Sequence, residues 1–221
     1  MSDSPLLSLN NISFGYTGRP LLFDGLDFTL TEGEQTGIHA PNGSGKTTLL
    51  RLAMGLEKAQ SGIVLFQGSP VDSAQALHHL RCSVGFVLQN SDEQLFSSTV
   101  LEDVAFGPLN LGLKPQEARD RALETLESIG MAALAERPIH QLSGGEKKLV
   151  SIATVLSMRP KALLLDEPTT FLDELSRGRI IRLLQEMGIG RVIVSHDRDF
   201  LRQTTVSLVT IKDGRIAPCS L

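Results

Sequence analysis

The run Ala40-Pro41-Asn42-Gly43-Ser44-Gly45-Lys46-Thr47 constrains this chain more than any other feature of its sequence. Gln35 to Ala40, before it, reads as a strand; Thr47 to Leu56, after it, carries apolar residues at helical spacing and stops near Gly55. A strand that enters a glycine-rich loop and leaves as a helix is the setting in which a phosphate loop works. Glycines let backbone N–H groups turn inward around phosphate oxygens, and the helix start adds the positive end of its dipole. Lys46 is placed to reach the β and γ phosphates, and the Thr47 hydroxyl to hold Mg²⁺. A plain Gly-rich turn is the competing reading, and it leaves the strand–loop–helix order unexplained.

A second element completes the first. Ala162–Leu165 is a short, wholly apolar run, the mark of a central parallel strand buried on both faces. It delivers Asp166 and Glu167 at its carboxyl end, where ligands of α/β sheets bind. The third element is Leu142-Ser143-Gly144-Gly145-Glu146. Ser143 with Glu146 three residues on forms a capping box. The same exposed helix start also makes an anion site. A Gly-Gly pair inside a first turn weakens a helix unless something must approach closely.

Around these elements the pattern is consistent. Leu7 to Ser13 and Leu26 to Leu30 alternate as half-buried strands, Ile63 to Phe66 and Val84 to Leu88 read as further strands, and Ser73 to Arg81 as a short helix. From about Val100 to Met158 the chain turns mostly helical. Pro115–Gly130 shows one apolar face in Ala122, Leu126 and Ile129, and Ser143 to Met158 ends at Arg159-Pro160. Leu175 to Met187 is helix, and Arg191–Ser195 and Val206–Ile211 are strands. The expected organisation is one domain over residues 1–221: a β-rich start, an α/β core, and a helical insertion at roughly 90–159.

A net charge of −4 argues against nucleic acid as a partner. Cys82 and Cys219 lie far apart, with no metal-ligand spacing, and read as reduced thiols of a cytoplasmic protein. No stretch approaches the ~18–20 apolar residues of a membrane span. Met1-Ser2-Asp3-Ser4-Pro5 lacks the features of a signal peptide.

On these motifs the sequence resembles the ABC ATPase family along essentially its whole length, the Leu-Ser-Gly-Gly-Glu signature being the most specific of them. The resemblance implies an α/β phosphate-loop NTPase core with an N-terminal antiparallel β subdomain and an inserted helical subdomain. It implies ATP and Mg²⁺ as cofactors. Tyr16 matches the aromatic residue that stacks on adenine, and Asn42, Gly43, Ser44, Gly45, Lys46, Thr47 and Thr48 match the phosphate cradle. Thr47, Gln89 and Asp166 match the residues that hold Mg²⁺. Glu167 matches the residue that polarises the attacking water, with Lys46, Gln89 and His196 completing the catalytic set. Ser143, Gly144, Gly145 and Asp173 match positions that meet a second subunit, because family members pair head to tail and each ATP lies between one phosphate loop and the partner's signature. The chain is therefore expected to act as a homodimer or with a close relative. It departs from the family at Ala40, which replaces a glycine; at Leu149, which replaces an arginine; and at Phe171, which replaces a glycine.

Gln89 to Gly112, with Asp92-Glu93-Gln94-Leu95-Phe96 and Glu102-Asp103-Val104-Ala105-Phe106-Gly107, looks like the ATPases of energy-coupling factor importers. Glu146-Lys147-Lys148 and Val155-Leu156-Ser157-Met158 tilt the resemblance toward the cobalt and nickel group, with biotin and other vitamin systems as the alternative. The resemblance implies integral membrane subunits as partners and a place on the cytoplasmic face of the membrane, with Leu95, Phe96 and Phe106 as candidate anchors. Two rivals stand beside it. One is a soluble ABC ATPase acting on DNA or ribosomes; the other is a catalytically dead module.

Overall fold

The computed structural model describes residues 4–219. Met1–Asp3, at the start of the stretch read for a signal peptide, and the last two residues of the expected domain lie outside the described residues.

Two sheets share the core. The first is antiparallel, in the order β2 (Phe23–Thr31), β1 (Pro5–Phe14), β4 (Ser61–Phe66), β5 (Ser69–Pro70). The second runs β10 (Arg215–Pro218), β9 (Ser207–Lys212), β3 (Gln35–His39), β8 (Gly190–Ser195), β7 (Ala162–Asp166), β6 (Val84–Val87). From β9 to β6 its pairings are all parallel, and only β10 runs against its neighbour.

Every residue of β7 and β8 is buried, because both faces of this sheet are covered. Alternate residues feed two separate cores. Leu163, Leu165 and Ile193 join the cluster shared with α3 (Val100–Asn110), α4 (Pro115–Ser128), α5 (Gly144–Leu156), α6 (Glu174–Glu186) and α7 (Arg198–Thr204). Ala162, Leu164, Val192 and Val194 join the cluster shared with α1 (Lys46–Ala53) and the antiparallel sheet. The period of two along a strand thus lays α3 to α7 on one face and α1 with the second sheet on the other.

The helical stretch enters after β6 and returns to the sheet at β7. Its helices start at clear signals. Thr99 and Glu102 form a reciprocal capping box at α3, and Ser143 and Glu146 form another at α5. A short helix, α2 (Ala74–Ser83), is capped by Ser73. Among the described residues no helix is long and apolar enough to cross a membrane. Neither Cys82 nor Cys219 is joined in a disulfide among the described residues.

Candidate functional site

The carboxyl ends of β3, β8, β7 and β6, four adjacent parallel strands, deliver the phosphate loop, His196, the Asp166–Glu167 pair and Gln89 to one edge of the sheet. This is the edge at which open α/β sheets bind ligands. A cavity of about 910 Å³ opens there, and Tyr16, Asn42, Gly43, Gly45, Lys46, Thr47, Thr48, Gln89, Glu167 and His196 all line it. A second cleft of about 590 Å³ shares Thr47 and Gln89 with it and adds Asp166 and Gly144.

Glycine is required in the phosphate loop for two different reasons. Gly45 sits at φ 98°, and a Cβ there would press on the Phe23 ring at 2.7 Å. Gly43, at φ 79°, has nothing within 4 Å of a Cβ position, so that face of the loop is open to a ligand. The N-cap of α1 is Gly45 itself, with no side-chain hydrogen bond to the helix start. Its first N–H groups are therefore left for an anion. Lys46 is buried, and its ammonium donates to the carbonyls of Ala40 at 2.7 Å and Pro41 at 3.2 Å. It also lies 3.7 Å from Glu167 Oε1. Ala40, the departure at the head of the loop, is buried and still supplies its carbonyl to Lys46.

The Glu167 carboxylate is the hub of the site. Ser195 Oγ donates to its Oε2 at 3.2 Å, the His196 N–H donates to Oε1 at 3.1 Å, and His196 Nδ1 lies 2.8 Å from Oε2. Thr170 Oγ1 adds a longer bond of 3.3 Å. The backbone of Glu167 is in the left-handed region at φ 44°. That conformation costs a non-glycine residue roughly 1–2 kcal/mol and persists where surrounding contacts over-determine it. Ser195, Thr170 and Arg19, which also lines the cavity, were not singled out from the sequence; only their nearness to His196, Glu167 and Tyr16 in the chain pointed to them.

Asp166 is almost wholly buried. Burial pushes its carboxyl above the usual range, against a hydrogen bond from Thr47; Glu167 pushes it further up, and the charges of Lys148 and Lys46 pull it back. Its Oδ1 and the Ser44 Oγ are buried without a hydrogen-bond partner. An unpartnered buried carboxylate oxygen beside a threonine hydroxyl is a donor set that suits Mg²⁺, a hard cation that takes oxygen ligands. The residues present fit that ion.

Tyr16 stands at the cavity rim, 41% exposed, edge-on to Phe14 and with its hydroxyl 3.0 Å from Thr48 Oγ1. One ring face is thereby fixed in place beside the loop.

Ser143, Gly145 and Asp173 line neither cavity. Ser143 is engaged with its own helix: its Oγ accepts from the Glu146 N–H at 3.3 Å, and its N–H donates to Glu146 Oε2 at 2.8 Å. The glycine pair separates into two roles. A Cβ on Gly144 would meet nothing within 4 Å, whereas one on Gly145 would collide with the Ser176 side chain at the start of α6. Gly144 leaves room for close approach by a ligand, and the lack of a side chain on Gly145 makes room for Ser176. Asp173 caps α6, accepting from the Ser176 N–H at 2.9 Å and the Ser176 hydroxyl at 2.8 Å. Those bonds hold its carboxyl below the usual range.

The other departures also have places. Leu149 is buried in the helical core. Phe171 keeps the left-handed backbone that a glycine would adopt freely, at φ 63°, with its ring 99% exposed.

The anchor candidates divide. Leu95 is buried in the helical core and is not available as an anchor, because its side chain packs inward at the foot of α3. Phe96 and Phe106 are exposed and stack edge to face with centroids 4.8 Å apart.

Comparison with known proteins agrees with this geometry. Residues 23–170 match the ABC transporter family. An ABC transporter ATP-binding protein of Nitratidesulfovibrio vulgaris is 50% identical over 96% of this chain and 78% of its own length. The energy-coupling factor transporter ATP-binding protein EcfA of Methanothermobacter thermautotrophicus is 41% identical over 96% of this chain and 69% of its own. The cobalt import ATP-binding protein CbiO of Rhodobacter capsulatus is 40% identical, covering 96% and 78%. Among solved structures, CbiO1 of Clostridium perfringens, part of the ABC transporter complex CbiONQ, superposes with a TM-score of 0.86 at 37% identity, covering 97% of this chain and 87% of that one. The ATP-binding cassette MJ0796 bound to ADP and Pi superposes with a TM-score of 0.85 at 28% identity, covering 97% and 99%.

Proposed function

This chain belongs to the ABC transporter ATPase family, and from that premise we propose that it powers an importer of the energy-coupling factor type, with cobalt or nickel ions as cargo. It is the ATP-binding subunit of a transporter, so the readings as a DNA- or ribosome-directed ATPase fall away. The whole chain acts as one ATPase domain, with residues of roughly 90–159 as the helical subdomain that meets the membrane partner. It works from the cytoplasmic face of the membrane, as a homodimer or with a close relative.

The observation that carries the importer reading is the Phe96–Phe106 pair. Two aromatic rings exposed side by side, on the segment that follows Gln89, form an anchor of the kind that dominates interfaces. The EcfA and CbiO relatives support the branch. Their near-equal identities, 41% and 40%, also suit a chain whose cargo is chosen by another subunit.

In this reading Tyr16 offers its ring to adenine, and the N–H groups of the phosphate loop close on the phosphates. Lys46 leaves the carbonyls of Ala40 and Pro41 for the β and γ phosphates. Thr47, Gln89 and Asp166 would hold Mg²⁺, which supplies neutralisation of the charge that builds on the phosphate oxygens. Glu167 accepts a hydrogen bond from the attacking water and orients it in line, while His196 turns its ring from Glu167 toward the γ-phosphate. Ser143 and Gly144 of the second subunit complete the phosphate's shell, and Asp173 lies on the segment that crosses between subunits.

The docking surface is tested by Phe96→Glu and Phe106→Glu, singly and together. The expected result is loss of membrane recruitment and of cobalt or nickel uptake, with ATP binding by the purified chain retained. Uptake of biotin in place of the metals moves the cargo assignment to the vitamin systems. Recruitment unchanged in the double variant refutes the surface.

A further inference from the structure

The Gln89 loop is fastened to the signature helix rather than to the sheet it leaves. Strand pairing of β6 ends at Val87. At the next residue both backbone groups are taken over by partners rooted in α5. The Leu88 carbonyl accepts from Lys148 Nζ at 2.9 Å, and the same ammonium donates to the Gln89 carbonyl at 2.7 Å. The Leu88 N–H donates to Gln94 Oε1 at 3.0 Å. Gln94 in turn donates through Nε2 to the Ser151 carbonyl at 2.8 Å and to Thr154 Oγ1 at 2.9 Å. Outside this clamp, Lys147 Nζ pairs with Asp92 Oδ1 at 2.6 Å.

Lys148 is only 3% exposed. An ammonium buried to that depth is retained against a desolvation penalty of several kcal/mol, and a neutral side chain of the same length would fill the space without it. Its ammonium fixes the two carbonyls that flank Gln89, and its charge also acts on Asp166. Gln94 is equally specific, with its donor and acceptor ends on different elements. The helix they are rooted in is the one whose start carries Ser143 and Gly144, while Gln89 lines this chain's own cavity.

We propose that Lys148 and Gln94 are positioning residues that make Gln89 move with the signature helix, so that nucleotide bound across the dimer by one chain's signature sets Gln89 in that chain's own site. The two ATP sites of a dimer are then coupled through this clamp. The inference rests on the proposed shared site and adds the direction of communication between the two halves. Coupling of this kind is a free energy carried by a contiguous element with two arrangements.

The test uses the full chain with ATP and Mg²⁺. Glu167→Gln is first checked for an ATP-dependent dimer; its absence would count against the shared site itself and not against the clamp. With the dimer established, parent ATP turnover is expected to be cooperative in ATP. Lys148→Met is expected to lower kcat on the order of tenfold, as loss of a group that orients a metal ligand does. It should also bring the Hill coefficient to one, while ATP still dimerises the Glu167→Gln, Lys148→Met protein. Lys148→Arg, which keeps donors at that depth, should recover part of both. Gln94→Leu breaks the other arm without removing a buried charge and should act in the same direction, so a folding failure at Lys148 leaves the proposal exposed to refutation. A non-cooperative parent, or a cooperative Gln94→Leu or Lys148→Met enzyme with unchanged kcat, overturns it.

Discussion

Two helix starts in this molecule carry the same small residues and are finished in opposite ways. At α1 the N-cap is Gly45, with no side chain to satisfy the first N–H groups. At α5 the N-cap is Ser143, and a complete capping box with Glu146 satisfies two donors within the helix itself. The first start is also walled in by the strand ends that bring Glu167, His196 and Gln89 around it; at the second, Gly144 leaves open space beside the backbone. The difference separates a start that leaves its donors for a ligand from one that satisfies most of them within its own helix. Backbone donors left unpaired beside a walled cavity bind an anion directly. A start that has met most of its own demand gains little from an anion in water, which suits the proposed role as the second face of a site completed across a dimer.

The sharpest way to break this comparison is at the walled half. Glu167→Gln keeps the size of the side chain and the ability to hydrogen-bond His196 and Ser195, and removes the charge. Turnover is expected to fall by roughly 10²–10⁴, the range for a positioned general base, with ATP binding retained and an ATP-held dimer visible by size-exclusion chromatography. Near-normal hydrolysis would remove Glu167 from its role. Lys46→Ala should instead weaken ATP binding itself by about 2 kcal/mol, roughly 30-fold, the loss of a hydrogen bond between charged groups; isothermal titration separates the two outcomes.

The open half is tested by mixing. Lys46→Ala chains and Ser143→Arg chains are each expected to be inactive alone. In a heterodimer one site joins an intact phosphate loop to an intact signature, so mixing should restore turnover to a fraction of the parent rate. Proven heterodimers with no activity would mean that the halves are not shared, or that both sites must fire together.

How far these halves were legible differed for physical reasons. β7 announced itself because a strand covered on both faces needs an unbroken apolar run, and Ala162–Leu165 supplies one. The phosphate loop was legible because its backbone demands glycine at fixed positions. By contrast, α7 passed unnoticed: over Arg198–Thr204 it buries only Phe200, Leu201 and Thr204, too few residues to set a helical period. β10, a half-exposed edge strand, has no alternation to read. Leu95 and Phe96 are neighbours of similar apolarity, and which one turns inward is decided by packing under α3, with no trace in the local pattern. Gly144 and Gly145 were equivalent for the same reason until Ser176 was seen against the second.

A smaller effect sharpens the comparison at the segment between the halves. Phe171 holds its ring fully in solvent on a left-handed backbone, which a glycine would adopt without strain. Phe171→Gly is therefore expected to raise the stability of the isolated chain by about 1 kcal/mol at most, since relief of the left-handed strain is partly offset by the greater freedom of glycine in the unfolded chain. If the ring meets the second subunit, the same change should weaken the ATP-held dimer of Glu167→Gln. A variant less stable as an isolated chain in urea would show that the ring already packs within its own subunit.

The smallest expected effect lies at the Arg177–Asp197 pair, which ties α6 to the cap of α7 just beyond His196. Arg177 donates through Nε and Nη2 to Asp197 Oδ2 at 3.1 and 2.9 Å, and Asp197 Oδ1 accepts from the Phe200 N–H at 2.9 Å. Burial pushes the Asp197 carboxyl up, but the Phe200 N–H and the hydrogen bond and charge of Arg177 outweigh it and hold the group below the usual carboxylate range. With the folded value below the unfolded one, near 3.9, the unfolded chain binds more protons in the interval between them, so stability rises with pH there. The contribution is fully present above about pH 4 and is lost as pH falls through the folded value. Asp197→Asn keeps an oxygen for the cap and loses the charge pair. Because the pair is partly exposed, the expected cost at pH 7 is about 1 kcal/mol or less, read as a lower urea midpoint. The gap between parent and variant should persist to pH 5 and begin to close only below about pH 4, followed as far down as the parent keeps a folded baseline. No gap at any pH would show that the pair contributes nothing beyond the hydrogen bond of the cap, and a gap that closes between pH 7 and pH 5 would show that the carboxyl is not held below its unfolded value.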